Sequence, residues 1–246
     1  MNEYAADRPR VLRVEGAYNV RDLGGYRSRD GRSTRWGAFY RADGLYRLTQ
    51  EGKRTIENLG VRAIVDMRHE RELQGKRNVF DGDGSMRYFN IGLMNPTAPV
   101  ARRMDSLGDL YVSLLEDCQP ALRGVFETLA GVREGGALFH CAVGKDRTGV
   151  VAALLLDLAD VPRETIVADY ALTAKCIQPM MAELRWSRPS MVPEDEYESF
   201  LGCDPRNMLT LLEHLEYKYG NATGYMHAIG MPHGQVLALK ERLLEN

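Results

Sequence analysis

The sequence has few of the features that mark disulfide-rich, membrane-spanning or highly charged proteins. Among 246 residues there are only four cysteines, Cys118, Cys141, Cys176 and Cys203, and no CxxC pair. This content excludes a disulfide-dense scaffold and is typical of a reducing compartment. No stretch approaches the ~20 apolar residues of a membrane span. The 32 Lys and Arg residues nearly balance the 34 Asp and Glu residues, so the net charge favours neither nucleic-acid nor membrane-surface binding.

The beginning of the chain also lacks a targeting pattern. Residues 1–10 are charged and contain no apolar core of a signal peptide, so we expect a cytoplasmic protein without a transmembrane segment. The hydrophobic content is 44%, which is enough for a sizeable core. No internal repeat or low-complexity linker divides the chain. We therefore expect a single domain over residues 1–246, and the sequence predicts nothing about its oligomeric state.

Short apolar runs alternate with helical patterns along the chain. Residues 61–66 and 137–139 are typical of buried strands, and residues 150–158 of a buried helix. Another helix is expected between Thr49 as N-cap and Gly60 just past its C-terminus. We also expect residues 95–99 to form a loop and residues 101–106 to be a mobile segment over the functional site. This alternation predicts an α/β fold with a central mixed, mostly parallel sheet flanked by helices.

The chain is organised around residues 137–149, ALFHCAVGKDRTG. An apolar strand stops at Cys141, and a charged turn containing glycine opens an apolar helix. The backbone N–H groups of such a turn, together with the positive end of the helix dipole, form an anion site. A helix N-terminus and a nearby arginine also favour the thiolate form of a cysteine. We therefore expect Cys141 to be a nucleophile at the floor of an anion site.

The spacing of Cys141 and Arg147 predicts phosphoryl transfer. Five intervening residues let the loop wrap a tetrahedral oxyanion, with the sulfur below it and the guanidinium at the rim. Thiolate attack would give a cysteinyl-phosphate that water hydrolyses, and the reaction needs no metal or other cofactor. In support, Thr148 can donate its hydroxyl to the thiolate and His140 can hydrogen-bond to backbone carbonyls. The predicted phosphate cradle comprises Ala142, Val143, Gly144, Lys145, Asp146 and Arg147.

Two other interpretations of this segment fit less well. A cysteine after an apolar strand is often a small buried hydrophobe, but that leaves the joint spacing of the other polar residues unexplained. A nucleotide-binding loop would need Ser or Thr after the lysine, whereas Lys145 is followed by Asp146. The phosphoryl-transfer interpretation is therefore favoured.

The motif HCxxGKDRTG at residues 140–149 resembles the signature loop of the cysteine-based protein tyrosine phosphatase superfamily. The KDR version resembles a bacterial branch of tyrosine and dual-specificity phosphatases that also act on phosphoinositides. Residues 19–26 and 40–43 resemble the N-terminal motifs of the same branch. The resemblance implies a tyrosine phosphatase-like fold and a helical lid at about residues 176–203. It also allows export without a cleavable signal.

The proton donor for the leaving group is less well defined by the sequence. We find no Trp-Pro-Asp motif of the kind that many tyrosine phosphatases use. The branch resemblance favours Asp146 as the general acid, and Asp66, at the end of a predicted strand, is the second candidate. Each has a structural alternative, which for Asp146 is a carboxylate that only complements the helix dipole.

Four further charged positions carry open alternatives. Lys145 could hold a second phosphate, as in inositol-phosphate lipids, or only raise the local potential. For Arg21, Asp22 and Arg41 we favour a salt-bridged scaffold over substrate contact.

The sequence as a whole predicts a cysteine-dependent phosphatase acting on phosphotyrosine in proteins, with activity on phosphoserine, phosphothreonine or phosphoinositides as an extension. Its expected partners are a phosphorylated protein or a phosphoinositide, and no nucleic acid. The alternatives are a phosphoinositide phosphatase or a non-catalytic phosphate-binding module. A sulfur or arsenate transferase has less support, because the KDRT run matches phosphatases better.

Overall fold

The computed structural model describes residues 9–93 and 106–245. The predicted loop at residues 95–99 lies outside the described residues, and so does the predicted mobile segment at residues 101–106 except for Ser106. The side chain of Ser106 accepts a hydrogen bond from the Asp109 N–H at the start of a helix. Within the described ranges, no helix is both long enough and apolar enough to cross a membrane.

A five-stranded mixed sheet forms the centre of the fold. Its strands are β1 (Arg21–Asp22), β2 (Phe39–Ala42), β3 (Val61–Asp66), β4 (Arg87–Asn90) and β5 (Gly136–His140). The strand order is β1-β2-β5-β3-β4; β1 and β2 are antiparallel, and all other neighbours are parallel. The predicted α/β fold with a mixed, mostly parallel sheet is confirmed. Because β5 lies in the middle, the residues that follow it emerge at the centre of the sheet edge.

Helices cover both faces of this sheet. Thr49 caps α1 by accepting a hydrogen bond from the N–H of Gly52 at 3.1 Å, and Gly60 follows the helix at φ +77°, both as predicted. The segment of the predicted lid contains a short 3-10 turn, Gln178–Met180, and two helices, α7 and α8. The helix bounds are α1 Gln50–Asn58, α2 Glu70–Leu73, α3 Leu107–Asp117, α4 Gln119–Ala130, α5 Asp146–Leu158, α6 Arg163–Cys176, α7 Met181–Trp186, α8 Glu194–Leu201, α9 Pro205–Tyr219, α10 Ala222–Ala228 and α11 His233–Leu243.

The core consists of two apolar layers separated by the sheet. Phe139 of β5 and Val65 of β3 face the larger layer, which α3, α4, α5 and α9 cover. Leu138 and Ile64 face the smaller layer, which contains Ile56 of α1. Successive strand residues thus alternate between the layers, as the strand geometry requires. Burial on both faces makes β3 and β5 rigid supports for whatever their carboxyl ends present.

Candidate active site

The segment from Cys141 to Lys145 connects the central strand β5 to helix α5. It therefore lies at the carboxyl end of the parallel strands, where open α/β sheets bind ligands. Cys141 is only 2% exposed and is a free thiol. Cys141 is the first residue after β5, and α5 begins five positions later at Asp146.

The first two carbonyl groups of the loop accept hydrogen bonds from outside the loop. The Nδ1–H of His140 donates to the carbonyl of Cys141 at 3.0 Å, and the backbone N–H of Gly44 donates to that of Ala142 at 3.0 Å. The other ring nitrogen of His140, Nε2, accepts from Asn78 Nδ2 at 2.8 Å, which fixes the tautomer. Burial lowers the pKa of His140, so that this ring is neutral and oriented by its two partners.

The next two carbonyl groups are held by the N-terminal part of the chain. Asn19 Nδ2 donates to the carbonyls of Val143 and Gly144 at 3.1 and 3.0 Å, and Arg41 Nη2 donates to that of Gly144 at 2.9 Å. In a planar peptide the carbonyl and the following N–H point in opposite directions. Four outward carbonyls therefore turn the N–H groups of residues 142–145 toward the inside of the loop. This geometry suits an oxyanion.

Gly144 is required for this conformation. Its φ is +71°, and a Cβ at this position would lie 2.4 Å from the backbone oxygen of Ala42. Only glycine combines the left-handed conformation with such close backbone approach at no steric cost.

Arg147, in the first turn of α5, contacts the residues that follow β3. Its Nη1 donates to Glu72 Oε2 at 2.7 Å and to the carbonyl of Met67 at 3.2 Å, and its Nη2 donates to Glu72 Oε1 at 2.8 Å. The buried Nε has no partner in the described ranges. The guanidinium has five N–H groups. The Nε–H and the second Nη2–H lie on the edge that these partners leave open. Two parallel donors on one edge can bind two oxygens of a phosphate group. Burial opposes the charge, but Glu72 outweighs it and raises the pKa of Arg147.

Thr148 is fully buried, and its hydroxyl also lacks a hydrogen-bond partner among the described residues. An unsatisfied buried hydroxyl is costly unless a ligand or a neighbouring group takes its proton. The hydroxyl is therefore available to an anionic sulfur in the same loop.

Asp146 lies at the start of α5 and is partly exposed. Its Oδ1 accepts a hydrogen bond from the hydroxyl of Tyr111 at 2.7 Å and lies 3.3 Å from Lys145 Nζ. The hydroxyl of Tyr111 is also 2.7 Å from that of Tyr170. Burial and the carboxylate of Asp146 raise the pKa of Tyr111 well above its usual value, so this phenol stays protonated and donates. Oδ1 is thus occupied, whereas Oδ2 is free of the tyrosine.

Asp66 is at the end of β3 and has a different environment. It is fully buried, and Arg68 pairs with it through Nε at 2.9 Å and Nη2 at 2.6 Å. The hydroxyl of Tyr88 donates to the same carboxylate at 3.0 Å. Burial alone would raise the pKa of Asp66, but the pairing with Arg68 outweighs it and holds that pKa below its usual value. Asp66 is an ionised group with its oxygens already occupied.

Lys145 contacts the segment predicted as a lid. It is 3% exposed, and its Nζ donates to the carbonyls of Phe200 and Gly202, the latter at 3.0 Å. These carbonyls are at the C-terminal end of α8, where a cation is favoured by the helix dipole. The residue predicted to extend the phosphate site thus joins the signature loop to the segment predicted as a lid.

Asp169 on α6 connects the two arginines that the sequence singled out in the N-terminal motifs. Arg21 Nε lies 3.2 Å from Asp169 Oδ1, and Arg41 Nη1 lies 2.5 Å from Oδ2. Both arginines are buried, and Arg41 also holds the signature loop. Asp22 accepts hydrogen bonds from the backbone N–H groups of Gly24 and Gly37 at 2.8 Å. These contacts agree with the scaffold interpretation.

Sequence reasoning missed several residues that position the site. Glu72 and Asn78 follow β3 without any motif, and Tyr111 and Asp169 lie on helices whose apolar periodicity explains their burial but not their polar partners. Asn19 was within a recognised motif but without a role. The only signal for Glu72 was its place just past the strand that ends at Asp66.

The sequence of this chain is similar to those of known phosphatases. A family model described as "Tyrosine phosphatase family" matches residues 12–245. A tyrosine-protein phosphatase from Nostoc commune is 34% identical over 84% of this chain and 74% of its own length. The triple specificity protein phosphatase PtpB of Mycobacterium tuberculosis is 26% identical over 95% of this chain and 99% of its own. Among solved structures, the core catalytic domain of PP-IP phosphatase SIW14 from S. cerevisiae matches with a TM-score of 0.42 and 16% identity, covering 81% of this chain and 97% of that domain.

Proposed function

This chain belongs to the tyrosine phosphatase family and is a phosphatase enzyme, and we propose that it hydrolyses phosphotyrosine in proteins through a cysteinyl-phosphate intermediate. The observation that carries the proposal is the loop of residues 141–147, whose carbonyls are held outward and which begins at the buried thiol of Cys141. The single match of the family model to residues 12–245 supports treating the chain as one phosphatase domain.

In the first step, the thiolate of Cys141 attacks the phosphorus, the S–P bond forms and the P–O bond to the tyrosine oxygen breaks. The loop N–H groups and the open edge of Arg147 bind the phosphoryl oxygens as charge shifts onto the leaving group. Thr148 donates its hydroxyl hydrogen to the sulfur, which stabilises the thiolate before attack and again when it departs in the second step.

A carboxylic acid must protonate the tyrosine oxygen as it leaves, and we assign this role to Asp146. Its Oδ2 is free of Tyr111 and its side chain is partly exposed, as a donor at the mouth of a pocket has to be. In the second step, the Asp146 carboxylate takes a proton from water, the water oxygen attacks the phosphorus, and the S–P bond breaks to release phosphate. Asp66 cannot donate a proton while it is ionised and paired with Arg68. We therefore assign it a structural role in supporting the loop.

The segment from residue 176 to 203 is proposed to act as a lid. Its contact with Lys145 supports this assignment, because the ammonium group ties the C-terminal end of α8 to the signature loop. A lid that closes over the loop would exclude water from the reaction and protect the thiolate from oxidation.

The substrate range is proposed to extend to phosphoserine, phosphothreonine and phosphoinositides, with phosphotyrosine as the main substrate. The relative named as a triple specificity phosphatase supports a broad range. The position of Lys145 favours phosphotyrosine, since a lysine engaged by two carbonyls is not free to bind a second phosphate. The order of preference among these substrates is tested by comparing kcat/KM over a panel of phosphopeptides and phosphoinositides. A higher kcat/KM for a phosphoinositide than for the phosphotyrosine peptides would make the phosphoinositide the main substrate.

The enzymatic proposal is tested by hydrolysis of p-nitrophenyl phosphate in the presence of a metal chelator. We expect turnover by the wild type and none by Cys141→Ser. If the wild type binds phosphate but does not hydrolyse the ester, the chain is a phosphate-binding module. An unchanged rate for Cys141→Ser would refute the nucleophile.

The general acid is tested by comparing Asp146→Asn with Asp66→Asn. Substrates with poor leaving groups need protonation more than p-nitrophenyl phosphate does. We therefore expect Asp146→Asn to slow hydrolysis of phenyl phosphate more than that of p-nitrophenyl phosphate. Asp66→Asn should affect both substrates equally, if the variant is folded. If Asp66→Asn instead slows phenyl phosphate more than p-nitrophenyl phosphate and Asp146→Asn affects both equally, Asp66 is the general acid and Asp146 the structural residue.

A further inference from the structure

A group of arginines lies at the edge of the sheet opposite the signature loop. They are found at or before the N-terminal ends of the parallel strands β2, β3, β4 and β5 and at the end of α11. The length of β5, five residues at ~3.3 Å each, puts this edge roughly 15 Å from the loop. The arginines are Arg35, Arg62, Arg87, Arg133 and Arg242.

Two adjoining cavities bring these arginines together. One cavity of ≈ 1040 Å³ is lined by Arg35, Arg133 and Arg242, and a second of ≈ 580 Å³ by Arg62, Arg87 and Arg133. Arg133 and Gly131 line both, so the two cavities adjoin, and together they are called the trough. The trough extends across the four parallel strands β2, β5, β3 and β4. Its width therefore corresponds to three strand spacings, or ~14 Å.

No carboxylate of the described ranges forms an ion pair with these five arginines, although Arg35 and Arg242 donate hydrogen bonds to backbone carbonyls. Most other arginines of these ranges do form ion pairs. Burial lowers the pKa of Arg242, and the positive charges of the neighbouring Arg35 and Arg87 lower it further. Like charges gathered at this cost, in a chain whose formal net charge is -2, indicate an anionic partner.

We propose that this trough binds an extended acidic segment of a partner protein. Guanidinium groups bind carboxylates bidentately, and an extended peptide of four to five residues would span ~14 Å. Glu134 and Glu241 also line the trough and have no ion-pair partner in the described ranges. They would repel the uninterrupted charge of a nucleic acid, whereas a peptide can place a neutral residue opposite each of them. A membrane surface is flat and fits a concave site less well.

This interaction lies outside the catalytic site and goes beyond the proposed reaction. The trough is on the far edge of the sheet, so that it would hold a partner without touching the phosphate being cleaved. A phosphatase with such a surface gains selectivity among phosphoproteins from a region remote from the phosphorylated residue.

The test measures binding of a fluorescein-labelled peptide of alternating glutamate and serine, roughly ten residues long, by fluorescence anisotropy at low salt. The trough variant is Arg87→Gln/Arg133→Gln, since both side chains are exposed and form no hydrogen bond with described residues. The control is Arg13→Gln/Arg54→Gln, which removes the same charge from exposed residues that line neither cavity. Hydrolysis of p-nitrophenyl phosphate is measured for each protein.

We expect the trough variant to bind the peptide roughly fivefold to tenfold more weakly, because it loses two exposed charge pairs. The control variant should bind as the wild type does, and all three proteins should hydrolyse the small ester equally. The proposal is overturned if the wild type does not bind, if both variants lose affinity equally, or if single-stranded DNA or anionic vesicles bind more tightly through the same arginines. In each case an unchanged hydrolysis rate leaves the catalytic assignment intact.

Discussion

Replacing Asp169 with asparagine would remove the carboxylate that lies between two buried arginines. Arg21 and Arg41 are at most 1% exposed, and both pair with Asp169, which also accepts a hydrogen bond from the hydroxyl of Tyr26 at 2.8 Å. Burial alone would raise the pKa of Asp169, but the two guanidinium groups outweigh it and hold that pKa far below the usual range. The side chain is therefore ionised, and asparagine would leave two buried cations without a counter-charge.

The expected loss of stability is large for a single substitution. Breaking a buried ion pair by removing one partner costs about 3–5 kcal/mol. In a domain of this length each kcal/mol corresponds to about 2–4 °C, so we expect the Tm of Asp169→Asn to be lower by roughly 10 °C. Because Arg41 also holds the carbonyl of Gly144, kcat should fall as well in the fraction that remains folded.

The measurement is urea unfolding at several pH values, with Asp204→Asn as the control. Asp204 pairs with exposed Arg206 and caps α9, a role that asparagine can also fill, so this control should lose little stability. A carboxyl whose folded pKa is depressed contributes stability above its unfolded pKa of about 3.9 and loses it as the pH falls. The difference between wild type and Asp169→Asn should therefore be full at pH 7 and shrink below about pH 4. A difference under about 1 kcal/mol at pH 7, or one independent of pH, would refute the buried-pair reasoning.

Three further substitutions test the positioning of the site. Tyr111→Phe removes the hydrogen bond to Asp146 and should lower kcat roughly tenfold, more for phenyl phosphate than for p-nitrophenyl phosphate; an equal loss on both would show that the tyrosine acts only on stability. Glu72→Gln keeps the shape but not the charge that orients Arg147, so KM for p-nitrophenyl phosphate should change with little loss of Tm, and unchanged kinetics would contradict this role. Gly144→Ala should abolish hydrolysis, because a methyl group would collide with backbone, and circular dichroism with phosphate binding will separate a distorted loop from an unfolded chain.

The sequence predicted the central strands, the signature loop and its helix because these depend on local pattern. The apolar runs around residues 61–66 and 137–139 are buried on both faces in any sheet of this kind, and Gly144 is explained by the turn it occupies. The anchors of the loop depend instead on chain topology. Asn19 and Arg41 contact residues 143 and 144 because β2 lies beside β5, and no spacing in the sequence gives that neighbourhood.

Lys145 illustrates why a motif residue can have a different use from the one its position suggests. In the sequence, a lysine between Gly144 and Asp146 indicates either a second cation for the substrate or a charge that only raises the local potential. In the fold, the carbonyls at the end of α8 lie within hydrogen-bonding distance and bind the ammonium group. A buried lysine needs such partners, since its desolvation would otherwise disfavour the charged form. A substrate phosphate could recruit Lys145 only by displacing these carbonyls, so that any preference for a doubly phosphorylated substrate would be coupled to movement of α8.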